Sequence, residues 1–110
     1  MTDPLLELTE EQRAIFETAR AFADEHLRPN AAAWDRDAHF EPSLIPQLGE
    51  LGFLGMLLPP EHDGLGLDAR SYLLALEEIA VADASTAVMM SVHNSLPTQM
   101  LLNFGSSAQQ

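Results

Sequence analysis

The stretch LTEEQRAIFETARAFADEHLRP, residues 8–29, carries the strongest structural signal in the chain. Thr9 stands three residues before Gln12, the spacing of a capping box. In that motif the threonine side chain accepts from the N3 backbone amide while the glutamine reaches back to the cap's own N–H. Glu10 and Glu11 put negative charge where the helix dipole is positive, and Pro29 closes the far end. Ile15, Ala19, Phe22 and His26 recur at helical spacing as one stripe, widened by Phe16, Ala23 and Leu27. The segment reads as an amphipathic helix that buries one face.

Working outward, NAAAWDRDAHF (30–40) predicts a short helix carrying Trp34. After Pro42, PSLIPQLGELGFLG (42–55) predicts another, with Pro46 in its first turn. Leu48, Leu51 and Leu54 would form its buried side, and Gly52 or Gly55 its end. MLLPPEHDGLGLD (56–68), rich in proline and glycine, reads as a loop. Asp68 then caps ARSYLLALEEIAVAD (69–83), whose apolar face is expected at Tyr72, Leu73, Leu76, Ile79 and Ala80. ASTAVMMSVHNSLPTQMLLNFG (84–105) is apolar on nearly all sides, and Pro97 should kink or interrupt it by removing the bond to the carbonyl of His93. A helix apolar all round must be surrounded, and a small domain has little material to surround it.

The ending LLNFGSSAQQ (101–110) adds a second sign of the same kind. Gly105 stops the helical pattern, and Ser106 with Gln109 has the spacing of a new capping box that no apolar run follows. The expectation is a domain over 1–110 that is incomplete at its C-terminal end. No strand alternation is present, so the fold class is all-α, an orthogonal helical bundle of four to six helices.

Composition bounds the function. A chain of 110 residues is one domain at most, and 46% hydrophobic with 20% charged residues is ordinary for a globular one. Seventeen acids against five bases give a net charge of −12. The bases are all arginines, at 13, 20, 28, 36 and 70, and they are scattered. So acidic a surface argues against nucleic acid and anionic membranes. No arginine cluster is present to hold a polyanionic cofactor by this segment alone. There is no cysteine, hence no disulfide or thiol chemistry. No apolar run approaches the roughly 18 residues of a membrane span. The N-terminus has neither a signal-peptide core nor a transit-peptide character, so a cytoplasmic address is expected.

Single motifs carry little chemistry. Gly64, Gly66 and Ala69 match G-x-G-x-x-G/A, but PPEHD precedes them where a dinucleotide fold needs a buried strand. Glycines that permit positive φ in a loop explain them better. His26, His39, His62 and His93 show no paired-ligand spacing, so no metal site is expected. His93, in the apolar segment, reads by itself as a partly buried, satisfied imidazole. Glu77 and Glu78 point about 100° apart on a helix and cannot share a substrate atom; one is expected buried and paired, the other solvated. Met56, Met89, Met90 and Met100 fit core filling better than an adaptable cavity. No nucleophile–base–orienter set can be assembled.

Taken together and in order, LTEEQRAIFETARAFADEHLRPNAAAWDRD, LGELGFLGMLLPPEHDGLGLD, ALEEIAVADAS and SVHNSLPTQMLLNFGSSAQQ resemble the N-terminal helical domain of acyl-CoA dehydrogenases, from about Leu8 to the last residue. The resemblance implies an FAD-dependent oxidoreductase with two further parts, a β-domain and a C-terminal helical domain. It implies an acyl-CoA thioester substrate from fatty-acid or branched-chain catabolism, electron-transfer flavoprotein or a similar acceptor, and a homotetramer. In the family a glutamate removes the α-proton while the β-hydride passes to the flavin. That glutamate lies in the C-terminal domain, so no residue here inherits a catalytic role, and most FAD contacts lie elsewhere too.

What carries over is the acyl chamber. The family segment matching MMSVHNSL passes beneath the flavin and lines the cavity for the acyl chain. Met89, Val92, His93 and Leu96 are the implied substrate-binding residues. The chain then reads as cut inside the helix that GSSAQQ opens, and inactive by itself. Two departures stand out. Asp63–Gly64 occupies a place where relatives often carry two glycines, and aspartate tolerates the left-handed backbone better than most residues. Pro97 precedes the usual proline position by a few residues, which leaves the direction of His93 open. Relatives on the same scaffold that oxidise nitroalkanes or hydroxylate substrates remain alternatives. So do a free-standing acyl-binding module, for which Asn94-Ser95-Leu96 is a poor match to the Asp-Ser-Leu of acyl carrier proteins, and a module that only pairs with other subunits.

Overall fold

The first helix grows from its cap as the sequence dictates. The Gln12 amide donates to Thr9 Oγ1 at 3.1 Å, and the Thr9 amide donates to Gln12 Oε1 at 3.0 Å. The computed structural model describes residues 7–110. In it, α1 (Glu10–Phe22) runs on through a single π turn (Ala23–Leu27), in which the Arg28 amide reaches Ala23 O at 2.8 Å just before Pro29. Then come α2 (Ala31–Asp37), α3 (Leu44–Glu50), a 3₁₀ turn (Pro60–His62), α4 (Ala69–Ala82), α5 (Ala84–Ser95) and α6 (Pro97–Phe104). The described residues contain no strand, so the chain is all-helical, with six α-helices among them.

Two helix ends show how the turns are made. After α3, Gly52 takes φ +81 and its amide donates to Gly49 O at 3.0 Å, while the Phe53 amide donates to Leu48 O at 3.0 Å. This is a Schellman stop, and it drops Phe53 into the core. After α2 the same turn is made with Ala38 at φ 50, where the His39 amide reaches Trp34 O at 2.9 Å. A Cβ in the left-handed region is strained, so Ala38→Gly is expected to raise stability by about 0.5–1 kcal/mol, after the extra chain entropy of glycine is counted. Paired thermal melts measure it.

The core joins Ala19, Phe22, Ala23 and Leu27 to Leu44, Leu48, Phe53 and Met56, to Tyr72, Ala75 and Ile79, and to Ala87 and Met90. Helix α4 lies between α1 and α5. Its buried face is Ser71, Tyr72, Ala75 and Ile79, with Leu76 half-buried. Leu73 and Ala80, expected inward, are exposed. Because α4 is apolar around most of its circumference, periodicity alone leaves its orientation open. Small Ala75 is buried in the core instead, and Arg20 Nε of α1 lies 3.3 Å from Glu78 Oε2 of α4. Glu78 is thus the paired carboxylate of the two, and Glu77 is the exposed one.

The result is a slab, 45 × 42 × 18 Å, with a radius of gyration of 15.0 Å. A compact chain of this length would come to about 13 Å. So flat a body has two large faces and leaves many large apolar side chains exposed, Leu73, Val81, Val88, Leu96, Met100 and Phe104 among them.

Candidate acyl-lining face

Helix α5 starts at Asp83, whose carboxylate accepts from the Thr86 amide at 3.3 Å and also from the Thr86 hydroxyl. From there the helix divides its residues sharply. Thr86, Ala87, Met90 and Asn94 are buried against the rest of the chain. Met89, Val92, His93 and Leu96 fall at i, i+3, i+4 and i+7, which makes them one stripe. Met89 is half-buried against the core, while Val92, His93 and Leu96 are exposed. The expectation that His93 is partly buried is therefore corrected: its position on the helix turns it outward. Also exposed are Val88 (62%) on the same helix and Met100 (62%) and Phe104 (87%) on α6. Beside it, a cleft of about 330 Å³ runs between α4 and α5, lined by Leu76, Ala80, Ala84, Ala87, Val88, Ser91 and Val92.

The methionines separate along the same line. Met56 and Met90 are wholly buried and fill the core, whereas Met100 is exposed.

Pro97 interrupts the segment rather than bending it. Leu96, at φ −105 and ψ −80, separates two helices, and Pro97 occupies the first turn of α6. The proline has no N–H for the carbonyl of His93. The Thr98 hydroxyl stands in, 2.8 Å from His93 O and 2.9 Å from Asn94 O. Met89, Val92 and His93 therefore sit on one regular helix, with Leu96 at its very end.

Sequence reasoning names Asn94 only within a poor Asp-Ser-Leu match and gives it no role in the core, yet it is 1% exposed and fully engaged. Its Oδ1 accepts from the Met56 amide at 2.9 Å, and its Nδ2 donates to Phe53 O and Met90 O, each at 2.8 Å. The signal was available: a carboxamide at the 87/90/94 spacing of an otherwise apolar inward face.

The long loop folds back on itself through the Leu65 amide to Gly55 O (3.0 Å), Gly66 to Leu58 O (2.8 Å) and Leu67 to Met56 O (2.9 Å). Gly66 has φ +61, and Asp63 takes φ 62 in the place where a second glycine is common, as aspartate can. Gly64 has no positive φ; what it supplies is space. At the C-terminal end the Ser106 box closes. The Ser106 amide donates to Gln109 Oε1 at 2.9 Å, the Gln109 amide to Ser106 Oγ at 3.3 Å, and one turn forms.

Electrostatics mark caps and turns rather than a reaction centre. The Ser71 amide, 2.8 Å from Asp68 Oδ1, holds the Asp68 carboxyl below its usual range, and the Ser43 amide with His39 does the same for Glu41. A lowered folded-state pKa contributes stability above the ordinary carboxylate range, about 4, and loses it as pH falls through the lower folded value. Melting temperature is therefore expected to drop below about pH 4. Asp68→Asn, which keeps a capping oxygen without the charge, should flatten part of that drop in a pH series of melts. Among the described residues, no group of three or more histidine or acidic side chains is placed to hold a metal ion, and no helix is long and apolar enough to cross a membrane.

The comparisons bear on the whole of this arrangement. Residues 9–110 match the family model "Acyl-CoA dehydrogenase, N-terminal domain". The mouse short-chain specific acyl-CoA dehydrogenase, mitochondrial, is 46% identical over 105 residues, which are 96% of this chain and 26% of that protein. Among solved structures, glutaryl-CoA dehydrogenase from Mycobacterium smegmatis superimposes with a TM-score of 0.88 at 33% identity, over 96% of this chain and 27% of that one. A chain in the structure of the electron transferring flavoprotein of Acidaminococcus fermentans does so with a TM-score of 0.88 at 36% identity, over 98% and 28%. The chain thus spans about a quarter of the length of the relatives it matches. Six helices, the capped entries of α1, α4 and α5 and a family match covering nearly every described residue converge: this chain belongs to the acyl-CoA dehydrogenase N-terminal domain family.

Proposed function

We propose that residues 9–110 form the first domain of an FAD-dependent dehydrogenase that introduces the α,β double bond into a short acyl-CoA thioester, and that Met89, Val92, His93 and Leu96 line the acyl chamber. The observation that carries this reading is the exposed stripe on α5, followed directly by an α6 that also exposes Met100, Leu101 and Phe104, in a chain that matches the family along its length. Burying it against an acyl chain would return about 0.8 kcal/mol per methylene. The short-chain assignment rests on the named specificity of the mouse relative.

The surface fits an apolar chain and the flat face of an isoalloxazine ring, not a pyrophosphate. Neither α5 nor α6 carries an arginine, and Arg20, Arg28 and Arg36 are paired with Glu78, Asp24 and Asp37. FAD, when bound, would supply the hydride acceptor, with its phosphates held by residues outside this domain. The part left to this chain is to bind and orient the acyl chain and to keep water from it. No residue of 1–110 fills the role of the α-proton base. A cytoplasmic homotetramer that passes electrons to an electron-transfer flavoprotein completes the proposal.

The test is a hybrid in which residues 9–110 replace the matching quarter of the mouse relative. Turnover of butyryl-CoA by the FAD-loaded hybrid, with none by the 110-residue chain alone, is expected. A folded, FAD-loaded hybrid without turnover, or turnover by the chain alone, overturns the reading.

A further inference from the structure

We propose that Asn94 is a positioning residue that fixes the register of α5, and through it the placement of Val92, His93 and Leu96; the inference rests on the acyl-lining reading above. Along α5, Asn94 stands about 160° around the helix from Val92, so a turn or slide at one is transmitted directly to the other. The apolar contacts of Ala87 and Met90 hold the helix against the core, but such contacts are non-directional and tolerate small slides. Hydrogen bonds are directional.

Asn94 makes them to Phe53 and Met56, in the turn that the Gly52 stop projects into the core. Its third bond, to Met90 O, lies one turn back on its own helix and fixes the carboxamide plane. The best-attested use of a buried asparagine among apolar neighbours is to select one register out of several that packing alone would allow. Here the bonded groups span 38 and 41 residues of sequence, so the pin joins α5 to a part of the chain that is far from it in sequence.

The two partners in the turn are backbone groups, which cannot move to follow a displaced helix without unmaking the turn. A side chain that offers only one of the two bonds should therefore leave α5 in place but free to shift by a fraction of a turn. The apolar stripe would then meet an acyl chain in more than one position.

Asn94→Ser and Asn94→Leu separate positioning from mere support. In the full 110-residue chain, amide exchange at Met56 is expected to accelerate at least tenfold in Asn94→Ser while helical circular dichroism is retained. In the hybrid, the ratio of kcat/KM for butyryl-CoA over hexanoyl-CoA is expected to change at least fivefold, with Asn94→Leu changing it at least as much where it folds. Unchanged Met56 exchange, or lowered melting with the chain-length ratio unmoved, overturns the proposal. An unsubstituted hybrid that folds, holds FAD and does not turn over counts against the acyl-lining reading instead, and the exchange measurement still decides the register.

Discussion

Asn94→Leu is expected to destabilise the 110-residue chain by about 3 kcal/mol in thermal or urea unfolding. Leucine branches at Cγ as asparagine does and is the larger of the two, so the effect is not one of cavity. It strands the Met56 amide and the Phe53 carbonyl, both of which face Asn94 inside the core. Each unsatisfied buried group costs about 2 kcal/mol, and the added apolar surface of leucine offsets part of the sum. Against a total of about 5–15 kcal/mol that is a large fraction, and a thin slab has less core to spare than a sphere. Asn94→Asp gives the sharper contrast. It keeps the acceptor for Met56 but sets a carboxylate against the carbonyls of Phe53 and Met90, so its stability should improve as pH falls and the carboxyl protonates. A loss of less than about 1 kcal/mol in Asn94→Leu would mean that the two backbone groups find water or other partners.

Gly64→Ala should come close to it, at about 3 kcal/mol. A Cβ on Gly64 would press on the backbone oxygen of Leu58 and lie 2.5 Å from its carbonyl carbon. That carbonyl cannot swing aside, because it accepts the Gly66 amide at 2.8 Å and so ties the two sides of the loop together. The loop must open to admit one methyl group. Gly55 is the internal control, since its added Cβ meets only Leu58 Cδ1 at 3.5 Å and Gly64 Cα at 3.8 Å. Gly55→Ala is expected within about 0.5 kcal/mol of the parent. Equal melting temperatures for the two variants would refute the close approach.

Much of this fold is written locally. Capping boxes at Thr9 and Ser106, the aspartate caps of α4 and α5, and the break at Pro97 depend on residues within one turn of each other, and all of them form. What the sequence hid depends on distance. The orientation of α4 is decided by where α1 lies, and Leu73 and Ala75 exchange places accordingly. The role of Gly64 is decided by a carbonyl six residues away, and a glycine needed for space looks the same in sequence as one needed for positive φ. Asn94 is the clearest case, because its partners lie some forty residues upstream and nothing adjacent to it announces them. The proposed acyl-lining stripe is legible only through resemblance: residue chemistry reads that segment as apolar on nearly all sides, which neither picks out one face nor names what covers it.

The acyl-chain-length profile of the hybrid carrying Val92→Phe or Leu96→Phe tests the central claim most directly. Both substitutions add bulk to the exposed stripe and disturb nothing in the core. If the stripe lines the chamber, each should lower kcat/KM for hexanoyl-CoA at least tenfold relative to butyryl-CoA, since the longer chain loses the volume the new ring occupies. Profiles that superimpose on that of the unsubstituted hybrid would place the acyl chain elsewhere and contradict the account.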